Sequence, residues 1–259
     1  MLIDCHTHLD EFEVSEVTKI LRRASGVGID LVVSAGTTFD SSVRCSSLSR
    51  MFPSLYAGIG VHPMDLVGPI DEQVYGSLQG LACSNDKIVV ISEIGLDFAN
   101  NAPDRALQYQ AFREQIRLAR DLQKPIVFHS RDAYEDTLRV LREERAYQVG
   151  GVMHYFQSDL NTALSFIDLG FYISLARPLL RMTDLQDVVS NLPLDSLVLE
   201  SDSAPQPFKV KRENWTEPRH VLDVAIKVAE IKNKTLEEVA SVSSRNFMEL
   251  IGMRKDNGS

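Results

Sequence analysis

The feature that most constrains this chain is the regular alternation of short β-branched segments with amphipathic helical segments over nearly its whole length. Strands that alternate with helices pair in parallel, so this order predicts strand–helix units that form one parallel sheet. The candidate strands span residues 2–8, 30–36, 55–62, 88–95, 125–130, 151–156, 171–175 and 196–202. Eight such units in 259 residues match a (β/α)8 TIM barrel in size and order. A doubly wound open sheet is the alternative fold.

The clearest helical segment lies between the fourth and fifth candidate strands. Its apolar residues recur at three- to five-residue steps from Leu107 to Leu122, while Arg113 and Arg117 fall on the other side. This pattern predicts an amphipathic helix on the wall of the barrel. Because no Ser/Gly/Pro-rich linker interrupts the chain, we expect a single domain over residues 1–253, with helical sequence at 235–251 and a flexible tail at 254–259.

The charge of the chain narrows the range of functions. Its 36 acidic and 27 basic side chains give a net charge of 27 − 36 = −9 at pH 7, which is unlike a generic basic nucleic-acid coat. Such a charge argues against tight binding along a DNA duplex, which needs many lysine and arginine contacts. It allows a local contact with the end of a strand.

Two further sequence features bear on location. The N-terminal segment lacks the parts of an export signal, and no apolar run approaches the roughly 18 residues that cross a bilayer. Cys5, Cys45 and Cys83 are widely spaced, which favours a reducing compartment and argues against thiolate zinc. We therefore expect a cytoplasmic protein with no membrane partner. The sequence leaves the oligomeric state open, and a monomer is compatible with it.

Ionisable side chains recur at the C-terminal ends of the candidate strands, which form the mouth of a TIM barrel, where its chemistry takes place. His6 and His8 end the first strand and share one face, because alternate residues of a strand point the same way. The ends of strands four, five, six and eight carry Glu93, His129, His154, Glu200 and Asp202. Imidazole and carboxylate groups are typical ligands of zinc, manganese, iron, cobalt and nickel. The pattern therefore favours a metal site.

Each of these residues also has an ordinary structural explanation. His129 and His154 could be hydrogen-bonded residues at a strand edge, and Glu93 could be a solvated or salt-bridged carboxylate. Asp202 could cap a turn or the start of a helix. The joint pattern on five strands favours the metal site, because so many ionisable groups at one mouth would be buried without compensation unless a cation were present.

Six segments resemble, in order, the motifs of a known family. They read DCHTHLD (4–10), GVHP (60–63), SEIGLDF (92–98), KPIVFHSRDA (124–133), MHYF (153–156) and LESDSAP (199–205). Over residues 2 to about 251 the chain resembles the TatD family of metal-dependent hydrolases, usually described as deoxyribonucleases. The resemblance implies a TIM barrel with two divalent metal ions, of which zinc, manganese, magnesium, nickel and cobalt are the candidates. The implied ligands are His6, His8 and Asp202 for one ion, His129 and His154 for the second, and Glu93 between the two.

Roles beyond ligation are predicted for several residues at the mouth. Asp202 is expected to orient the attacking water or take its proton, and Glu93 to act beside it in catalysis. Glu200 is expected to hydrogen-bond a ligand histidine, or alternatively to pair with Arg or Lys inside the barrel. His62 is expected to bind a substrate phosphate, with bracing of the loop ahead of Pro63 as the alternative.

Basic and aromatic residues near the mouth have two possible roles each. Arg131 is expected to bind substrate phosphate, with a salt bridge to Asp97 or Glu93 as the alternative. Further basic residues follow strands seven and eight: Arg177, Arg181, Lys209, Lys211 and Arg212. They either belong to solvated loops or contact substrate phosphates. Phe208 and Trp215 flank the last three and either stack on bases or anchor the loop.

Some positions depart from the family pattern without removing a ligand. The family usually has Cys and a Ser-Gly pair where this chain has Tyr155 and Gln157-Ser158. It has Thr in place of Ser201 and Asn in place of Thr216. These changes fall in loops that would shape the substrate pocket.

The resemblance implies a deoxyribonuclease that cleaves phosphodiester bonds, as a 3′–5′ exonuclease on single-stranded DNA. The alternatives are a hydrolase of the same scaffold that acts on another ester or amide, such as aminoacyl-tRNA, and a non-catalytic binding protein. Related amide-cleaving barrels bridge their metals with a carboxylated lysine on strand four, whereas Lys87 and Lys124 fall at strand starts. A barrel that only binds would be expected to have lost ligands, and all six are present.

Overall fold

The computed structural model describes residues 1–253, which form eight strands that alternate with helices. The strands are β1 (Leu2–Thr7), β2 (Ile29–Ala35), β3 (Leu55–Ile59), β4 (Ile88–Asp97), β5 (Ile126–Arg131), β6 (Gly151–Met153), β7 (Phe171–Leu175) and β8 (Leu197–Leu199). The helices are α1 (Val14–Ser25), α2 (Phe39–Met51), α3 (Glu72–Cys83), α4 (Arg105–Leu122), α5 (Tyr134–Glu143), α6 (Leu160–Asp168), α7 (Thr183–Asn191), α8 (Val221–Lys232) and α9 (Leu236–Leu250).

Each strand pairs in parallel with the next one along the chain, from β1 to β8. Backbone hydrogen bonds join the two ends of the sheet. His8 N–H donates to Ser203 O at 2.7 Å, and Asp202 N–H donates to His6 O at 3.1 Å. The predicted (β/α)8 barrel is therefore confirmed, and the doubly wound alternative is wrong because the strand order never reverses.

The ends of four strands differ from the prediction by two residues or more, and one of them is β3, which stops at Ile59. β6 stops at Met153 and β8 at Leu199, earlier than predicted, while β4 continues to Asp97. Tyr155 and Asp202 have φ angles of 49° and 50°, in the left-handed region, which no extended strand can accommodate. The loops after β6 and β8 thus begin just before the ionisable residues that the sequence assigned to the strand ends.

Two apolar layers hold the barrel together. Strand residues such as Phe128 pack against the surrounding helices in the larger cluster. A second cluster joins residues of several strands, such as Val127 and Val198, to Phe247 of α9. Asn246 Nδ2 of the same helix donates to Leu197 O at 2.9 Å, so α9 covers the N-terminal end of the barrel.

The predicted amphipathic helix forms α4 on the barrel wall. Asp104 caps its N-terminus by accepting the N–H groups of Ala106 and Leu107. On its polar side, Arg113 and Arg117 both donate to the buried Glu144, at 2.8 and 2.9 Å. The helix therefore fixes the position of α5 as well as packing on the barrel.

The longest connection at the barrel mouth is residues 200–220, between β8 and α8, which we call loop eight. Its Glu217 is buried and accepts two hydrogen bonds from Arg23 of α1, each 2.8 Å long. Arg212 of the loop donates to the same carboxylate at 3.0 Å. These ion pairs fix loop eight against α1.

Among the helices of residues 1–253, none has the length and apolar character of a membrane-spanning segment. The flexible tail predicted for residues 254–259 lies outside the described residues. The single-domain boundary at residue 253 stays a prediction.

Candidate metal centre

The two histidines at the end of β1 meet at the barrel mouth. The pairing of β1 with β2 shifts its register between Asp4 and Thr7, around His6. Such local irregularities re-aim side chains beside functional sites. His6 is fully buried, and its Nε2 lies 3.3 Å from Nε2 of His8. The Nε2 atoms of both imidazoles therefore face the same point at the barrel mouth.

Glu93 lies between two groups of histidines. Its Oε2 is 3.3 Å from His6 Nε2 and 3.5 Å from His8 Nε2. Its Oε1 is 2.8 Å from His154 Nε2 and 3.4 Å from His129 Nδ1. His62 Nε2 also lies 3.3 Å from Oε1. Each carboxylate oxygen therefore faces its own group of imidazoles, which is the arrangement a bridging ligand requires.

Asp202 completes the group around Oε2 of Glu93. Its Oδ1 lies 3.4 Å from His8 Nε2 and 3.9 Å from His6 Nε2. The left-handed backbone at this position is one that Asp adopts more readily than most residues. With 28% of its side chain exposed, Asp202 also faces the solvent of the mouth.

Hydrogen bonds hold the outward-facing nitrogens of two of these histidines, His8 and His154. His8 Nδ1 lies 3.1 Å from Ala35 O, and His154 Nδ1 lies 3.3 Å from Glu200 Oε1. Because these oxygens accept, the proton of each neutral ring belongs on Nδ1. The lone pair on Nε2 is then free to bind a cation.

Asp97 holds the outward-facing nitrogen of His129 in the same way. This role was not predicted from the sequence. Its Oδ2 lies 2.9 Å from His129 Nε2, and its Oδ1 accepts the N–H of Ala99 at 2.9 Å. Burial alone would raise the pKa of Asp97, but the hydrogen bond with His129 outweighs it and the pKa is lowered. The signal was present in the sequence, because Asp97 lies four residues after Glu93 and even steps along a strand share a face.

The donor set fits divalent cations. His154 Nε2 is buried and has no hydrogen-bond partner within residues 1–253, although Glu93 Oε1 is 2.8 Å away. Ligand atoms of His6, His8 and Glu93 lie within 4.8 Å of one another, as do those of two further groups of three. Such a concentration of lone pairs and negative charge away from water is stabilised by a metal ion.

The electrostatics of the centre agree with this fit. Burial opposes the charged form of His8, but the hydrogen bond with Asp202 and the charge of Glu93 outweigh it and raise its pKa to about 10. Burial likewise opposes ionisation of Asp202, yet His8 lowers its pKa to about 2. The carboxylates thus draw positive charge to His8 Nε2, where a divalent cation would displace the proton.

His62 lies close to the centre. Its Nε2 is 3.3 Å from Glu93 Oε1, and its Nδ1 accepts the N–H of Met64 at 3.1 Å. The ring therefore braces the turn that follows Pro63 and also faces the bridging carboxylate. Its role in binding phosphate stays a prediction.

Arg131 lies at the edge of the site. Its Nη1 is 3.4 Å from Asp97 Oδ2, and 58% of its side chain is exposed. The ion pair that was its alternative role is therefore present. The exposed guanidinium still lines the cleft above the centre, so binding of substrate phosphate stays a prediction.

Glu200 is buried beneath His154, as its predicted contact with a ligand histidine requires. It accepts hydrogen bonds from Ser174 Oγ at 2.6 Å and from the N–H of Tyr155 at 2.8 Å. Cys5 Sγ lies 3.9 Å from its Oε2, so this thiol packs beneath the centre.

The centre opens into a cleft of about 620 Å³, which Tyr155, Gln157 and Asp202 help to line. A larger groove of about 760 Å³ lies at the other end of the barrel, between Met1 and Met248, away from the ligand cluster. The smaller cleft is the one with the chemical groups of a reaction site. Divalent cations held there would supply an activated water and a Lewis acid for a substrate oxygen.

Sequence comparisons agree with this geometry. The profile of the family described as TatD related DNase matches residues 3–252. The uncharacterized metal-dependent hydrolase YabD of Bacillus subtilis (strain 168) is 33% identical over 256 residues, which cover 96% of this chain and 98% of YabD. TATDN3 of Mus musculus, provisionally named a deoxyribonuclease, is 30% identical over 263 residues, which cover 96% of this chain and 87% of TATDN3.

A structural comparison gives the same result. The crystal structure of YjjV, a TatD homologue from Escherichia coli K12, matches with a TM-score of 0.84 at 26% identity and covers 98% of both chains. Fold, site and sequence thus agree over nearly the whole chain. The chain belongs to the TatD family of metal-dependent hydrolases.

Proposed function

We propose that this hydrolase is a deoxyribonuclease that binds two divalent cations and removes nucleotides from the 3′ end of single-stranded DNA. The observation that carries the proposal is the position of Glu93, whose two oxygens face separate groups of histidines. Paired cations are suited to phosphodiester hydrolysis, because the attacking and the leaving oxygen both need stabilisation.

Two observations support DNA as the substrate. The family description and the provisional name of the mouse relative both refer to deoxyribonucleases. The cleft is open to solvent and has the exposed guanidinium of Arg131 on its edge, where it can meet a phosphate. With a net charge of −9, contact limited to a strand end is easier to achieve than binding along a duplex.

The residues of the centre then have distinct roles. Asp202 is ionised at neutral pH and partly exposed, so it can accept a proton from the attacking water. His62 and Arg131 would orient the phosphate, and Glu200 would hold the ring of His154.

The lysines of the chain do not favour cleavage of a ring amide. Lys87 Nζ donates to Phe52 O at 2.7 Å and to Leu55 O at 3.0 Å, at the N-terminal end of the barrel. Lys124 Nζ donates to Ile88 O at 2.7 Å, at the start of β4. Both amines are occupied far from Glu93, so neither can replace it as a carboxylated bridge.

A substrate panel tests the proposal. Metal-reconstituted protein is incubated with end-labelled single-stranded DNA, duplex DNA, RNA and aminoacyl-tRNA, and the products are resolved by size. We expect mononucleotides from the 3′ end of single-stranded DNA. Asp202→Asn should lower kcat about 10²- to 10⁴-fold. The control is Asp195→Asn, because this carboxylate is 79% exposed and pairs with Arg245 outside the centre.

The same panel can contradict the proposal. Hydrolysis of aminoacyl-tRNA alone, by protein with cations bound, would assign the centre to a carboxylic ester. Inactivity on every nucleic acid would exclude the nuclease, and wild-type activity of Asp202→Asn would exclude the assigned proton acceptor.

A further inference from the structure

A group of cations without acidic partners lies on the loops after β7 and β8. It consists of Arg177 and Arg181 after β7, and Lys209 in loop eight. Within residues 1–253 none of the three forms an ion pair with a carboxylate, whereas Arg23 and Arg212 nearby do. Lys209 Nζ instead donates to Gln206 Oε1 at 2.6 Å and to a backbone carbonyl. Neighbouring cations of this kind attract an anion from outside the chain.

Hydrogen bonds connect this group to the metal centre. Arg177 Nη1 lies 3.5 Å from Thr216 Oγ1, and Gln206 Oε1 accepts both Lys209 Nζ and the N–H of Thr216. Ser203, the residue after the aspartate ligand of loop eight, donates to Thr216 O at 2.9 Å. Arg177 and Lys209 are thus held beside the strand end that carries Asp202.

The loop that carries Lys209 also reaches the cleft. Asp202, one of the residues that line the cleft, lies in loop eight, as Lys209 does. An anion bound by Lys209 would therefore lie on the loop that also carries the reacting carboxylate.

Phe208 adds an apolar surface to the cations. Its side chain is 78% exposed, and Lys209 Nζ lies 6.0 Å from the centre of its ring. Trp215 differs, because it packs 6.1 Å from the ring of Phe12 with the guanidinium of Arg212 at 4.7 Å. Of the two possible roles, Trp215 therefore anchors loop eight, whereas Phe208 has a free face. An exposed ring beside cations is the usual platform for an unpaired base and its phosphates.

We propose that Phe208, Arg177, Arg181 and Lys209 form a strand-binding patch, which holds nucleotides that flank the scissile bond. Phe208 stacks on a base, and the three cations contact phosphates. The patch selects single strands, because the faces of bases inside a duplex are covered by stacking. This proposal rests on the proposed function for the identity of the strand as DNA.

Binding without turnover tests the patch. Fluorescence anisotropy measures the Kd of wild-type protein, in chelator, for an end-labelled single strand, an abasic strand of equal length and a duplex. Phe208→Ala should weaken binding of the normal strand about tenfold and leave the abasic strand unchanged. The double change Arg181→Gln and Lys209→Gln should reduce the slope of log Kd against log salt by about 1.4, because each of the two lost phosphate contacts contributes about 0.7.

Two matched controls lie away from the mouth. Lys234→Gln removes a cation from the turn between α8 and α9, and Tyr147→Ala removes a ring that is 49% exposed after α5. Both should bind strands as the wild type does. An unchanged Kd and salt slope in all patch variants, or equal tightness for abasic and normal strands, would overturn the proposal.

Kinetics separates failure of the patch from failure of the proposed function. With metal-reconstituted protein, the patch variants should raise KM for an oligonucleotide about tenfold, with kcat changed less than twofold. If the variants weaken strand binding but the wild type hydrolyses no DNA, the strand-binding patch is supported and the nuclease is excluded. DNA hydrolysis by the wild type with no effect of the variants on KM would exclude the patch.

Discussion

Replacing Asp97 by Asn tests how His129 is prepared to bind a cation. The Oδ2 of Asp97 accepts the Nε2–H of His129 at 2.9 Å, while Oδ1 accepts the N–H of Ala99. Asn keeps the second bond through its amide oxygen but presents an NH2 group to Nε2. A donor at that position favours the tautomer with its proton on Nδ1, the nitrogen that lies 3.4 Å from Glu93 Oε1. His129 would then offer the centre an N–H in place of a lone pair.

The size of the effect follows from this contact. Loss of the hydrogen-bond partner of a ligand histidine typically costs about 10- to 100-fold in metal affinity, which is about 1.4 to 2.7 kcal/mol. His6 and His8 face the other oxygen of Glu93, so cations bound there should be affected less than twofold. The free energy of unfolding should fall by only about 1 kcal/mol, because the bond with Ala99 is kept.

Isothermal titration of chelator-treated protein with Zn²⁺ or Mn²⁺ measures the affinities, and urea unfolding measures the stability. The matched control is Asp104→Asn, which changes the same group at the N-terminus of α4. Asn caps helices as well as Asp does, so this variant should resemble the wild type. Wild-type affinity of Asp97→Asn for every bound cation would refute the tautomer argument, as would an equal loss in the control.

Three further substitutions test parts of the fold that position the centre. Ser201→Ala removes the hydroxyl that donates to the buried carboxylate of Asp4 at 2.5 Å, and urea unfolding should show a loss of about 1 to 3 kcal/mol. Gly95→Ala places a Cβ 2.1 Å from the carbonyl oxygen of His129, at a position where φ is 139°. The melting temperature should therefore fall, and the free energy of unfolding should drop by about 2 to 4 kcal/mol. Glu144→Gln weakens the pairs with both arginines of α4. Burial alone would raise the pKa of Glu144, but those arginines lower it below 4.5. The loss in the free energy of unfolding of Glu144→Gln should therefore have its full size at pH 7 and shrink as the pH falls below about 4.5.

The sequence was sufficient to predict the fold and the location of the site, for identifiable reasons. Alternating strands and helices restrict the topology to a few arrangements, and a TIM barrel brings the ends of all its strands to one mouth. His6, His8, Glu93, His154 and Asp202 could therefore be placed together without knowledge of any distance. The structure brings them within a few ångströms, while their roles in binding and catalysis stay predictions.

Other features depended on details that periodicity does not encode. The spacing of Asp97 from Glu93 places the two on one face, but β4 runs two residues past its predicted end, and only this extra length brings Asp97 to His129. Phe208 and Trp215 could each anchor a loop or bind a base, and only their exposure separates them. The register shift beside His6 likewise arises from the packing of whole strands.

The central claim is that Glu93 bridges two cations, and counting the metal tests it most directly. Wild-type protein and Glu93→Gln are stripped with chelator, reconstituted with excess metal, passed through a desalting column and analysed by mass spectrometry. The control is Glu213→Gln, because this loop-eight carboxylate is 74% exposed. We expect two equivalents of metal in the wild type and the control, and at most one in Glu93→Gln. Two retained equivalents in Glu93→Gln, or a single one in the wild type, would contradict the bridge.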